Sequence, residues 1–193
     1  EFVAIDARTG RPMWEKLVAD PGAGYTLTGA PLIAGRLVVV GTAGGEYGIR
    51  GFVDAYDPIT GDRRWRFNTI PSPGDVGHDS WKNDAWKTGG GPTWVTGSYD
   101  PSLGLVYWGV GNPAPDFAGD VRPGDNLFTN SVIALHANTG QLAWYFQFTP
   151  HDEHDWDSTQ TPILADIIIN GQLRKVVCWA NRNGFYYVLD RAT

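Results

Sequence analysis

Residues 151–160, HDEHDWDSTQ, crowd four carboxylates and two histidines into ten positions. Like charges this close need hydrogen-bond donors, solvent, protons or a cation. An EF-hand loop opening at Asp155 requires Gly at its sixth position and Glu at its twelfth. Gln160 and Asp166 stand there instead. A zinc protease site requires His-Glu-x-x-His on a helix, whereas His151 and His154 lie three apart just after Pro150. A solvated acidic turn is the bland alternative. Against it, Trp156 separates Asp155 from Asp157. In an extended chain that alternation sends both carboxylates to one face and the indole to the other. Two carboxylates on one face suit a hard cation with oxygen ligands.

Other short segments offer compatible groups. GTAGGEYGIRG (41–51) lacks the G-x-G-x-x-G spacing of a dinucleotide loop, and no helix-forming run follows it. Its glycines would let backbone approach a flat ligand, with Glu46 beside them; alone, it reads as a Gly-rich hairpin. GVGNPAP (109–115) places Asn112 at a strand end. TGGGPTW (88–94) delivers Trp94 after three glycines, and ANRNG (180–184) carries Arg182. Each is weak alone, Trp94 reading as core and Asn112 as an ordinary turn. Together they supply Glu, Asn and two Asp for an oxygen-rich metal site, an aromatic platform and an arginine.

Such residues converge only if the fold brings distant loops together. Four segments resemble one another: VAIDARTGRPMW (3–14), VDAYDPITGDRRW (53–65), VIALHANTGQLAW (132–144) and YYVLDRAT (186–193). The first three share an apolar strand, Asp or His, a Thr-Gly turn and Trp four residues after the Gly. Thr9, Thr60, Thr139 and Thr193 stand 51, 79 and 54 residues apart. A period near 50 residues with one insertion predicts a β-propeller. A β-sandwich would use recurring Trp as core but gives no reason for the fixed Thr-Gly-to-Trp spacing. The runs at 36–43, 104–111 and 174–181 are β-branched or aromatic-rich and bounded by turn residues. The fold class expected is all-β, with no long amphipathic helix. The long irregular stretch 68–92 accounts for the wider second interval, and loops of that length are often functional.

Composition agrees. The chain has 193 residues, 25 Gly, 13 Pro and 9 Trp. A net charge of −6 argues against nucleic acid as partner. No apolar run approaches the roughly 18–20 residues of a membrane helix. Cys178 is the single cysteine, so no internal disulfide forms. The repeat predicts about three and a half blades of a propeller over residues 1–193, fewer than the roughly 4–8 that close one. Residues 1–193 are therefore expected to be one incomplete propeller domain, an internal piece cut in mid-repeat at both ends.

In sum the chain resembles the quinoprotein alcohol dehydrogenases, the methanol and ethanol dehydrogenase family that uses pyrroloquinoline quinone (PQQ). The resemblance spans nearly the whole chain. It rests on TLTGAP, GTAGGEYGIRG, GGGPTW, GVGNPAP, RPGDN, TPHDEHDWD and NRNGFYYVLDR, in family order. It implies an eight-bladed propeller that oxidises primary alcohols to aldehydes by hydride transfer to PQQ. By motif, Glu46, Asn112 and Asp155 match metal ligands, and Asp155 also matches the catalytic base. Trp94 matches the indole stacked under PQQ. Thr28, Ala43, Gly44 and Gly45 match contacts to the PQQ carboxylates, and Arg182 the basic partner of the quinone oxygens. Asp157 matches the second aspartate of the lanthanide-dependent members, which favours a lanthanide ion as a fourth-ligand site, with Ca2+ as the alternative. The resemblance further implies a c-type cytochrome as electron acceptor, a periplasmic location and a homodimer as one assembly open to the full-length protein.

Three departures accompany it. The adjacent cysteine pair and the downstream cofactor contacts of the family are not in this chain, and Pro92 stands where members often carry a hydroxyl residue. A propeller scaffold for protein partners, from another class, shares the repeats but has no use for the metal-type residues. A PQQ sugar dehydrogenase is the nearer rival. His151, Asp152, Glu153 and His154 carry no assigned role.

Overall fold

The computed structural model describes every residue from Glu1 to Thr193. Thirteen strands form four antiparallel sheets. The first pairs β1 (Phe2–Ile5) with β2 (Pro12–Lys16). The second runs β3 (Leu32–Ala34), β4 (Leu37–Gly41), β5 (Phe52–Tyr56) and β6 (Arg63–Asn68) in order. The third likewise runs β7 (Ser98–Asp100), β8 (Leu105–Val110), β9 (Ser131–His136) and β10 (Leu142–Gln147). The fourth holds β11 (Ile163–Ile169), β12 (Gln172–Ala180) and β13 (Tyr186–Asp190). This is the all-β arrangement of a partial propeller: successive meanders, each a blade. No helix is long and apolar enough to cross a membrane.

The core follows from strands apolar on both faces. Along β8, Val106, Trp108 and Val110 pack against Val39, Val53 and Trp65 of the second sheet. The intervening Leu105 and Tyr107 pack with Val177 and Trp179 of the fourth. Side chains alternate across a strand, so β8 serves two interfaces, one per face. That is why 104–111 reads as a continuous apolar run rather than an alternating one.

The repeat motif is the joint between sheets. Asp6 accepts hydrogen bonds from the N–H groups of Arg8 and Thr9, both at 2.9 Å. Asp57 repeats this with Ile59 and Thr60 at 2.9 and 3.2 Å. Gly10, Gly61 and Gly140 each have φ of +71°, where L side chains are strained. The tryptophans then bond the next turn along: Trp14 Nε1 donates to Pro58 O at 2.9 Å, Trp65 to Ala137 O at 2.9 Å and Trp144 to Arg191 O at 3.2 Å. A Cβ on Gly61 would come within 2.7 Å of the Trp14 ring, and one on Gly140 within 2.6 Å of Trp65. Thr-Gly and Trp are thus two halves of one contact between neighbouring sheets.

The stretch 68–92 carries two short 3-10 turns, His78–Ser80 and Asp84–Thr88. It is anchored rather than free. Trp81 is buried and donates to Leu127 O at 2.6 Å. Arg50 donates to Ile70 O at 2.7 Å and to Ser72 Oγ at 2.6 Å.

Candidate active site

The segment from Gly89 to Trp94 threads between the second and third sheets. On one side Gly51 N donates to Gly90 O at 2.8 Å, and Thr93 N to Thr42 O at 2.7 Å. On the other, Gly91 N donates to Asn112 O at 2.8 Å, and Gly111 N to Pro92 O at 2.7 Å. The approach is so close that a Cβ on Gly41 or Gly51 would overlap the carbonyls of Thr93 or Gly91. Gly90 and Gly91 sit at φ +76° and +64°. The three glycines therefore let a backbone strap cross two sheets and present Trp94. At 38% exposure Trp94 is not core. Pro92 packs beside Gly45 and Gly111.

Trp94 and Asn112 meet the acidic loop at one residue. Asp157 Oδ1 accepts from the backbone N–H of Asn112 at 3.0 Å. Its Oδ2 accepts from Trp94 Nε1 at 3.2 Å and lies 3.7 Å from an Arg182 guanidinium nitrogen. Asp157, Asn112, Trp94 and Arg182 are brought together from four separate segments. Thr28 stands nearby, its hydroxyl 3.3 Å from Trp94 O. Ala43 is bonded to Thr26 through both backbone groups, at 2.9 and 3.2 Å. Gly44 and Gly45 are buried. A Cβ on Gly45 would lie 2.9 Å from Asn112 Oδ1, which places the Gly-Gly-Glu turn against the asparagine amide. Glu46 is exposed.

The acidic loop is not the extended chain expected from its alternation. Asp155 and Asp157 take φ of +57° and +48°, a left-handed conformation that Asp tolerates better than most residues. Two kinks, not a flat strand, aim the carboxylates. The buried Asp152 sets them: its carboxylate accepts from His154 N and Trp156 N at 2.9 Å each and from Asn130 Nδ2 at 2.7 Å. Asn130 Oδ1 accepts from Ser158 N at 3.1 Å. Trp156 turns aside to stack on His154, ring centroids 5.6 Å apart. His151 bonds Gly124 O through Nδ1 at 2.8 Å and lies 3.6 Å from Glu153.

Two further residues escaped the sequence reading. Asp116, one position beyond GVGNPAP, accepts a short hydrogen bond from Asn112 Nδ2. Arg122, fully buried, donates to Pro115 O at 2.9 Å, Asp116 O at 2.8 Å, Asn126 Oδ1 at 2.9 Å and Asp152 O. It ties the Asn112 loop to the Asp155 loop. RPGDN (122–126) singles out this arginine, but nothing in its spacing reveals four acceptors.

The electrostatics mark a crowded cluster of carboxylates. Burial pushes the Asp157 carboxyl up to about 6, against the Asn112 N–H bond and with help from Asp155. Asp155 is raised by burial, opposed by Arg182 and reinforced by Asp152 and Glu46. Asp116 is raised by burial, then by Asp155 and Glu46. Glu46, Asp116, Asp155 and Asp157 thus share one field. No three His, Cys, Asp or Glu side chains close into a ready metal cluster; Asp157 faces Arg182 and Trp94. The buried Asn112 Oδ1 has no hydrogen-bond partner in the protein, although buried acceptors normally find one. An all-oxygen donor set with an orphaned amide oxygen fits a hard cation. An exposed indole, a glycine cradle and a guanidinium fit a flat anionic cofactor. A cavity of about 400 Å³ lined by Phe67, Val76 and Phe128 shares no residue with this site.

Comparison with known proteins shows the family. A quinohemoprotein alcohol dehydrogenase, ADH IIB of Pseudomonas putida, is 43% identical over 98% of this chain and 29% of its own length. The lanthanide-dependent methanol dehydrogenase of Methylacidiphilum fumariolicum (strain SolV) is 39% identical over 100% of the chain and 34% of its own. The solved structure of a europium-containing methanol dehydrogenase superposes with a TM-score of 0.92 at 39% identity, over 99% of this chain and 36% of that one. The chain therefore spans about a third of the length of these relatives. All of residues 1–193 match the description "PQQ: Glucose/ethanol/alcohol dehydrogenase, beta-propeller domain", and the chain belongs to that family of PQQ-dependent dehydrogenase propellers.

Proposed function

We propose that the protein carrying this chain oxidises primary alcohols to aldehydes with PQQ and a bound metal ion, a lanthanide in preference to Ca2+. The observation that carries this reading is the junction at Asp157. One carboxylate joins the asparagine loop, the exposed indole and the arginine, at 3.0, 3.2 and 3.7 Å. A scaffold propeller has no use for such a junction.

When bound, PQQ supplies the two-electron oxidant and the metal the Lewis acid. The chain's own residues do the rest. Glu46, Asn112, Asp155 and Asp157 would hold the metal. Trp94 would underlie the cofactor ring, with Thr28, Ala43, Gly44 and Gly45 at its edge. Asp155 takes the proton of the alcohol hydroxyl as general base. Arg182, exposed and 3.7 Å from Asp157, would stabilise negative charge developing on the quinone oxygen. Three carboxylates suit a trivalent ion better than a divalent one, because the attraction scales with the product of charges. A c-type cytochrome as electron acceptor and a periplasmic site of action complete the proposal.

The test is dye reduction by the intact protein with PQQ, comparing Ca2+ with a light lanthanide and primary alcohols with glucose. Alcohol-dependent reduction, stronger with the lanthanide, is expected. Reduction by glucose alone would move the protein to the sugar dehydrogenases, and none with either substrate would remove the dehydrogenase reading.

A further inference from the structure

We propose that Asp116 is a positioning residue: anchored by Arg122, its carboxylate locks the side-chain amide of Asn112 with Oδ1 turned into the ligand pocket. The inference rests on the cation reading of that pocket.

An asparagine amide has two faces that differ only in which atom points where. Asn112 Nδ2 donates to Pro113 O at 3.0 Å and to the Asp116 carboxylate. Both N–H groups are thereby used. Rotating the amide by half a turn would set Oδ1 against two acceptors and turn the NH2 group toward Gly45, the neighbour of Glu46. A ligand oxygen would be replaced by a donor that a cation repels. Pro113 O alone can satisfy one N–H; Asp116 supplies the second acceptor. Outer partners of this kind fix the orientation of a metal ligand.

Asp116 is itself held. Arg122 donates to the carbonyls of Pro115 and Asp116 at 2.9 and 2.8 Å, and also to the carbonyl of Asp152. Asp152 in turn shapes the turn carrying Asp155 and Asp157. One buried guanidinium therefore sets both the lock on Asn112 and the kinks that aim the two aspartates.

The test uses terbium(III), whose emission is sensitised by a nearby indole such as Trp94, titrated into the intact protein. Asp116→Asn keeps an acceptor for Asn112 Nδ2 but removes the charge; Asp116→Ala removes both. Asp116→Ala should weaken terbium affinity by about 10–100-fold, the usual cost of losing an outer partner. Asp116→Asn should retain most of the affinity and the metal-free thermal midpoint of the parent. Equal losses in the two variants would overturn the inference, because charge rather than an acceptor would then be what Asp116 provides. Unchanged affinity in Asp116→Ala would overturn it as well. Failure of the unsubstituted protein to bind terbium would instead strike the cation reading on which it rests.

Discussion

Trp94 Nε1 donates to Asp157 Oδ2 at 3.2 Å, linking the exposed indole to the carboxylate that also accepts from Asn112 N at 3.0 Å. The indole is thus a fixed donor, and under the proposed function a platform for the cofactor as well. Trp94→Phe keeps an aromatic face and removes the donor; Trp94→Ala removes both. Cofactor affinity should fall further in Trp94→Ala, an aromatic stack being worth roughly 0.5–1.5 kcal/mol beyond its buried area. Only the lost N–H, common to both, should loosen Asp157. Absorbance titration with PQQ checks the first effect. Equal PQQ affinity in the two variants would show that stacking on Trp94 contributes nothing.

Asp155 is the half-buried carboxylate whose proton affinity is raised by burial and by Asp152 and Glu46. As general base it should contribute roughly 10²–10⁴-fold to turnover. Asp155→Asn preserves size and an oxygen for the metal. Its kcat should drop by about that factor while PQQ remains bound. Single-turnover reduction measured with an alcohol and its deuterated form separates this from slow product release. A near-normal rate would take Asp155 out of the proton step.

Asp157→Ala should discriminate between metals. Removing a carboxylate costs a trivalent ion more than a divalent one at the same site. Lanthanide activation should therefore fall well beyond Ca2+ activation. The ratio of activation constants is the quantity to measure. A ratio unchanged by the substitution would leave Asp157 without a part in metal choice.

Much of this was legible in the residues. Thr-Gly and Trp at fixed spacing predicted stacked meanders, because the turn glycine and the preceding sheet's tryptophan are one contact. Asn112, Trp94, Asp157 and Arg182, singled out by type, are brought together by the fold. What periodicity could not supply was the conformation of the acidic loop. Alternation implies an extended strand, but Asp152 bonds the N–H groups of His154 and Trp156 and bends the chain into two left-handed kinks. Nor could spacing show Asp116 or Arg122, whose partners lie up to 30 positions away in sequence.

Trp65 tests the blade joint apart from any chemistry. It is buried, donates to Ala137 O at 2.9 Å and lies flat on Gly140. Trp65→Ala should cost about 3–5 kcal/mol, the range for deleting a large buried aromatic. Gly140→Ala should also destabilise, since its φ is +71° and the added Cβ meets the indole at 2.6 Å. The double variant should cost less than the sum, because the cavity left by Trp65 accepts the methyl group. Denaturant unfolding of the four proteins measures the coupling; strict additivity would separate the two residues energetically.

Asp157 gives a pH signature with a definite sign. Burial raises its carboxyl to about 6, the Asn112 N–H opposing and Asp155 adding to the rise. An unfolded chain releases that proton near pH 4. Between about pH 4 and 6 Asp157 therefore holds its proton more tightly in the folded, metal-free protein than in the unfolded chain, and its contribution to stability falls as pH rises. The full contribution is of order 3 kcal/mol at most, at about 1.4 kcal/mol per pKa step. Asp157→Asn cannot titrate, so its stability relative to the parent should climb through this window and level off above it. Metal affinity should run the other way, strengthening as pH rises through 6, because the ligand is the carboxylate. Paired denaturant titrations from pH 4.5 to 7.5 read the first trend and terbium emission the second. A stability difference between parent and Asp157→Asn that does not vary with pH would show that Asp157 titrates normally in the fold.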